Sequence, residues 1–205
     1  MPTFDEAVAE ARDLASTGRR VILGIAGPPG AGKSTVAARF VAALADLGAA
    51  YLPMDGFHLS NAQLDRLGRR ERKGAPDTFD VAGYIVALQR VRADRDDVYV
   101  PLFDRDNDAA EAAAGVVSAS ARVVVTEGNY LGLPTHGWDG VRALLDRLYY
   151  LEVSAAERRR RLLDRHLSGG RGRAAAQQWV HDVDDVNAER VDVTRRYTDG
   201  ILTVD

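Results

Sequence analysis

The feature that most constrains this chain is local. The apolar run Val21-Ile22-Leu23-Gly24-Ile25-Ala26 leads directly into Gly27-Pro28-Pro29-Gly30-Ala31-Gly32-Lys33-Ser34. A short run this apolar, rich in β-branched residues and bounded by turn residues, predicts a strand buried on both faces, and such strands belong to parallel sheets. The segment after it matches G-x-x-x-x-G-K-[ST] in the context that pattern requires, between a buried strand and a helix predicted over residues 33–47. The glycines let successive N–H groups turn inward around an anion, and the helix N-terminus adds the positive end of its dipole. The expectation is a phosphate cradle of Gly27, Gly30, Ala31, Gly32, Lys33, Ser34 and Thr35. Lys33 would reach the β and γ phosphates, and the Ser34 hydroxyl would bind Mg²⁺; ATP and Mg²⁺ are the ligands this chemistry implies.

Around that unit the pattern alternates. Phe4, Val8, Ala11 and Ala15 recur at helical spacing behind Thr3, a predicted N-cap, and Gly18 should stop that helix. Further strands are expected over residues 49–54, 98–103, 122–126, 148–153 and 201–204, and a helix over 81–93. Charged helices are expected between 154 and 195, with Ser154 as N-cap and Glu157 completing a capping box. The sum is an α/β fold with helices on both faces of a mainly parallel sheet, in a single domain spanning 1–205. Residues 56–80, basic and punctuated by glycine, form an insertion on the substrate side.

In open α/β sheets ligands bind beyond the carboxyl ends of the strands, so the polar residues that follow apolar runs are the first candidates. Asp55 follows Tyr51-Leu52-Pro53-Met54, and Glu127 follows Val123-Val124-Val125-Thr126. Phosphoryl transfer to an alcohol needs an acceptor for the hydroxyl proton and an anionic anchor for Mg²⁺. Asp55 suits the first role and Glu127, with Ser34, the second; a helix N-cap or a loop ion pair is the alternative for either.

Taken together, the Gly27–Ser34 loop, Met54-Asp55-Gly56-Phe57-His58 and Glu127-Gly128-Asn129-Tyr130-Leu131 resemble the uridine kinase, pantothenate kinase and phosphoribulokinase superfamily. Within it, residues 72–80 and Pro101-Leu102-Phe103-Asp104-Arg105 look most like a bacterial branch of fructose-transport-associated kinases. The resemblance implies a three-layer fold of the P-loop NTPase type, with a five-stranded parallel core and a helical lid. It also implies Asp55 as base and an acceptor pocket of His58, Arg70, Lys73, Phe79 and Arg105. The chain departs from uridine kinases, whose Asp-Ser-Phe-Tyr motif here reads Asp55-Gly56-Phe57-His58. It also departs from the longer pantothenate kinases, which use additional segments.

Arg158, Arg161 and Arg165 recur at i, i+3 and i+7, near one helical face, with Gly169, Gly170 and Gly172 following as hinge points. This predicts a lid over roughly residues 155–175, with Arg165 neutralising charge on the transferred group and Arg161 binding nucleotide; a solvated charged helix is the bland alternative. Leu167-Ser168-Gly169-Gly170-Arg171 imitates the signature loop of ATP-binding-cassette transporters. That reading fails for want of an apolar strand ending in acids downstream, since residues 179–185 are charged at helical spacing. Asp104, Asp106 and Asp108 imitate a calcium loop, but Ala109 and Gly115 stand where glycine and glutamate are needed.

Several classes are excluded or disfavoured. With no cysteine there is no disulfide, thiolate zinc site or cysteine nucleophile, and the four histidines have no metal-site spacing. A net charge of −3 argues against non-specific nucleic-acid binding. No apolar run approaches the roughly 20 residues that span a bilayer, and no leader pattern opens the chain, so a cytoplasmic protein without membrane contact is expected. The expectation is an ATP-dependent kinase acting on a hydroxyl of a small sugar-like metabolite; a homodimer is compatible with the sequence. A uridine-type or pantothenate-type acceptor is the alternative, and a nucleotide-dependent switch or assembly ATPase is the alternative from another class.

Overall fold

The computed structural model describes residues 1–93 and 95–203. β1 (Val21–Ala26) is buried along its whole length, as its composition requires, and pairs in parallel with β5 (Val123–Gly128) and β6 (Arg147–Glu152). β2 (Ala50–Pro53) extends the sheet beyond β5, and β7 (Gly200–Thr203) extends it beyond β6, giving the order β2-β5-β1-β6-β7 with every pairing parallel. These five strands are the expected ones, except that Val204, assigned to the last of them, lies outside the described residues. Alternation along the strands sorts the core into two layers. Leu23, Ile25, Val123 and Val125 pack with Ala7, Ala11, Ala15 and Phe40 of α1 (Phe4–Ser16) and α2 (Lys33–Ala43). Ile22, Val124, Leu148 and Tyr150 face the other layer, with Tyr84, Leu88 and Val91 of α4 (Val81–Ala93).

Local signals hold at the helix ends. Thr3 and Glu6 form a reciprocal capping box on α1, and Gly18 follows with φ +84°. α2 ends four residues earlier than expected, at Ala43, and a single 3₁₀ turn, Ala45–Leu47, completes the segment. Ser154 caps α6 (Ala155–Ser168) by accepting from the Glu157 N–H. The Glu157 carboxylate does not return the bond: it accepts from Arg160 and Arg161 instead, so the expected box is only half formed.

The expected strand over 98–103 exists but stands outside the sheet. β3 (Val98–Asp104) pairs antiparallel with β4 (Ala109–Val117) in a separate hairpin. Nothing in Ala109-Ala110-Glu111-Ala112-Ala113-Ala114 signals a strand; pairing with β3 overrides the helix preference of alanine. The hairpin packs over the 3₁₀ turn Met54–Phe57, and this explains the glycine of Asp55-Gly56-Phe57-His58. A Cβ at Gly56 would sit 2.1 Å from the Pro101 carbonyl oxygen, which is backbone and cannot rotate away. Gly56→Ala should therefore force hairpin and turn apart and lower stability by about 1–3 kcal/mol in chemical denaturation; an unchanged midpoint would mean that the hairpin yields freely.

The remaining elements frame the cleft. α3 (Asn61–Arg66) and 3₁₀ turns at Arg70–Arg72 and Pro76–Thr78 build the segment before α4. α5 (Asp139–Arg142) precedes β6. α7 (Arg173–Trp179) runs through a π-helical turn, Val180–Asp185, into α8 (Val186–Asp192). Among the described residues no helix is long and apolar enough to cross a membrane.

Candidate active site

The loop between β1 and α2 has the conformation its glycines permit. Gly30 and Gly32 take φ +78° and +92°, where side chains are strained. A Cβ at Gly30 would also lie 2.8 Å from the Arg158 carbonyl oxygen of α6. Gly32 caps α2 without a side chain, leaving the first N–H groups of the helix to an incoming anion. Lys33 is buried, and its Nζ donates to Pro28 O at 3.2 Å and to Asn129 Oδ1 at 2.6 Å. No carboxylate pairs with it directly. Burial pushes its pKa down, against the opposing pull of Glu127 and Asp55.

Glu127 closes β5 beside this loop and is almost fully buried. One of its oxygens, Oε1, accepts from Ser34 Oγ at 3.1 Å and from Tyr51 OH at 2.7 Å. Burial raises the Glu127 pKa, the nearby Asp55 charge adds to this, and Lys33 opposes it. Asp55 lies two residues beyond Pro53, the β2 partner of Glu127 in the sheet, so both acids emerge at the same sheet edge. Unlike Glu127, Asp55 remains open to the cleft, and its Oδ2 accepts from Arg105 Nη2 at 3.3 Å.

The acceptor side is assembled from the 58–79 segment and the hairpin. The His58 Nδ1–H donates to Asp55 O at 2.8 Å; a carbonyl can only accept, so Nε2 is left as a lone pair. Burial lowers the His58 pKa and holds the ring neutral. That ring packs against Phe79 and Phe103, with centroids 4.0 and 4.8 Å away. Lys73 borders the cleft, but its ammonium is engaged by Asn61 Oδ1 and by the carbonyl and carboxylate of Asp108, each at 2.8 Å. Arg70 is more loosely held, 3.8 Å from Asp65.

α6 forms the opposite wall. Arg161 bonds Glu157 and donates to Ala31 O of the loop at 3.1 Å, tying helix to cradle. Arg165 borders the cleft and makes no hydrogen bond or ion pair with a described residue. Arg158, placed with them by spacing, is instead buried, and its Nη1 has no hydrogen-bond partner.

Gly30, Gly32, Lys33, Ser34, Thr35, Asp55, His58, Arg70, Lys73, Phe79, Arg105, Glu127, Arg161 and Arg165 thus border one cleft of about 910 Å³. Of the residues expected here, Gly27 and Ala31 do not line it; they sit behind the loop, where a Cβ on Gly27 would meet Leu151 O at 2.9 Å. Sequence reasoning missed Tyr51 as the second donor to Glu127, and Asn129 as the partner of Lys33. Asn129 had a signal, its place two residues after the strand-end acid. It also missed His166, Arg171 and Asp184, and left Trp179 and Asn187 as core or capping residues, whereas all five border the cleft. A smaller groove of about 400 Å³ between α6 and the π-helical turn shares none of these residues.

No family model matches the chain. The Escherichia coli protein YggC is 36% identical over 190 residues, covering 90% of this chain and 78% of YggC. The Schizosaccharomyces pombe "Putative uridine kinase C227.14" is 34% identical over 182 residues, 82% of this chain and 75% of that protein. The crystal structure of a "putative fructose transport system kinase" from Silicibacter sp. TM1040 superposes with a TM-score of 0.85 at 36% identity, covering 97% of this chain and 98% of that one. These relatives extend over nearly the whole sheet, the cradle and the hairpin alike. The chain therefore belongs to the uridine kinase and pantothenate kinase superfamily of P-loop kinases, in the branch of the fructose-transport-associated kinases, and is an ATP-dependent phosphotransferase acting on hydroxyl groups.

Proposed function

We propose that the chain transfers the γ-phosphoryl group of ATP to a hydroxyl of a sugar-like metabolite, with Asp55 as general base. The observation that carries this reading is the meeting, in one cleft, of Lys33 and Ser34 in an anion cradle with a solvent-open Asp55 across from them. Asp55 accepts the acceptor proton as its oxygen attacks phosphorus in line with the departing ADP oxygen. Lys33 and Arg165 neutralise charge on the phosphoryl oxygens. The neutral His58 presents a lone pair, which suits a second hydroxyl on the acceptor and favours a polyol. The name carried by the Silicibacter protein supports a sugar; that of the Schizosaccharomyces protein supports a nucleoside, which the same cleft chemistry admits.

The donor set fits Mg²⁺. Ser34 Oγ and Glu127 Oε1 are hard oxygens beside the cradle, and two residues are enough for an ion that keeps waters and binds phosphate oxygens. Bound there, Mg²⁺ would supply positive charge to the β and γ phosphates. The lid is residues 155–175, turning about Gly169, Gly170 and Gly172 so as to exclude water and suppress ATP hydrolysis.

Glu127→Gln keeps an oxygen for Ser34 and Tyr51 while removing the charge. The Mg²⁺ concentration for half-maximal activity should rise by roughly 10- to 100-fold. Because the folded-state pKa of Glu127 lies above the unfolded one, its share of stability is present at low pH and lost as pH rises through the folded value. The variant should lose that part of the pH dependence of unfolding; the same slope as the parent chain would contradict the buried-acid assignment.

The reaction itself is tested by ATP consumption with Mg²⁺ across ketoses, aldoses, sugar phosphates, nucleosides and pantothenate, with mass spectrometry of the products. One phosphorylated sugar is the expected result. A phosphorylated nucleoside or pantothenate would move the acceptor, and tight ATP binding without any product would replace the kinase reading with a nucleotide switch.

A further inference from the structure

The wall of the cleft opposite Asp55 carries an arrangement that the mechanism above does not use. Arg171, in the glycine-rich turn after α6, donates from Nη1 to His166 Nδ1 at 3.0 Å, and its guanidinium lies 3.9 Å from the centroid of the Trp179 ring. Arginine can only donate, so Nδ1 of His166 carries no proton. The proton is on Nε2, which donates to Asp184 Oδ2 at 2.8 Å. Asp184 is buried, projecting inward from the π-helical turn, and His166 is nearly so. All four residues border the cleft.

The chemistry of this chain of contacts is specific. A carboxylate against Arg171 would have fixed the guanidinium and neutralised it together. An imidazole lone pair on one edge and an indole face on the other fix it and leave its charge available. Asp184 selects the His166 tautomer that makes this work and stands one residue removed from the guanidinium. Among the described residues Arg171 has no carboxylate partner, and neither has Arg165, its neighbour in the wall. The positive charges run in series: Arg165 acts electrostatically on buried Lys33, and Arg171 and Arg105 act in turn on Arg165, beside Asp55. The far end of that series is the junction between the cradle and the base, where a transferred phosphoryl group has to pass.

We propose that Arg171 is a contact for the terminal phosphoryl group of the nucleotide, and that His166 and Asp184 are positioning residues that aim it without discharging it. The inference rests on the kinase reading and deepens it, adding a cation outside the loop and outside the helical arginine row. Asp184 acts through His166 and touches no reacting atom.

The test is calorimetric titration of the full chain with Mg²⁺ and either ADP or the non-hydrolysable β,γ-imido analogue of ATP. Arg171→Ala and His166→Phe should each weaken the triphosphate analogue by roughly tenfold, the loss expected for one charge-assisted hydrogen bond, while ADP changes less than about twofold. His166→Asn, whose amide oxygen can accept from Arg171 where Nδ1 did, should recover most of the lost affinity. Unchanged triphosphate binding in Arg171→Ala would overturn the contact. Equal losses for both nucleotides, or no recovery in His166→Asn, would reduce the trio to a structural brace and overturn the positioning role. A parent chain that bound neither nucleotide would instead remove the cradle reading, and this inference with it.

Discussion

Asp55→Asn will bind Mg²⁺ and ATP as the parent chain does, but will turn over its acceptor at least about 100-fold more slowly, the loss expected when a general base is replaced by its amide. The substitution is nearly isosteric, and Asp55 makes only one weak side-chain contact, 3.3 Å to Arg105. The fold has little to lose. Glu127, the other acid at this sheet edge, cannot take over, because it is buried behind Ser34 and Tyr51 and faces the cradle rather than the acceptor wall. The measurement is a steady-state comparison of kcat, paired with nucleotide titration. Near-parental kcat would remove Asp55 from proton transfer; a matching loss of ATP affinity would place it on the nucleotide instead. Arg105→Ala is the companion variant, since it frees Asp55 without removing it and should not reproduce the kcat defect in full.

Lys33→Met will lower kcat/KM for ATP by roughly 10²- to 10³-fold, the range for loss of one preorganised electrostatic contact to a transition state. Methionine keeps the length of the side chain and the packing of α2 against the sheet, so the effect isolates the charge. The fold should be as stable as before or more so. The Lys33 ammonium is buried without a carboxylate partner and its pKa is pushed down, which means that the folded state holds this charge at a disadvantage. Loss of activity with an unchanged or higher melting temperature is the expected pair of results. Parental activity would exclude Lys33 from the phosphates, and an unfolded variant would show that the ammonium is needed for structure.

What the sequence discloses about this site is what it holds in short stretches. β1, the glycine loop and the start of α2 are contiguous, so apolar run, turn and helix N-terminus are read together and the cradle follows. Asp55 and Glu127 are legible for the same reason, each lying within two residues of the end of an apolar strand. The unread parts depend on chain segments far apart. Tyr51 meets Glu127 across 76 residues, and Lys33 meets Asn129 across 96. Neither pairing leaves a mark in the residues around it. β4 carries helix-forming alanines and becomes a strand only because β3 is there to pair with it. The π-helical turn hid Asp184 differently. One extra residue in the turn changes which side of the helix faces inward, and a search at ordinary helical spacing looks for the acid on the wrong face.

The hairpin over Gly56 has a consequence for how such enzymes diverge. The machinery that handles phosphate belongs to the central sheet and its first crossover, whereas the acceptor wall is draped over the sheet edge by the 58–79 segment and β3–β4, which are pinned to each other through Lys73, Asn61 and Asp108. Lineages can exchange that outer piece as a cassette, changing what is phosphorylated while inheriting the engine intact. The Ser-to-Gly difference from uridine kinases at position 56 then marks the seam, where one cassette was fitted so closely that its backbone leaves no room for a side chain beneath it.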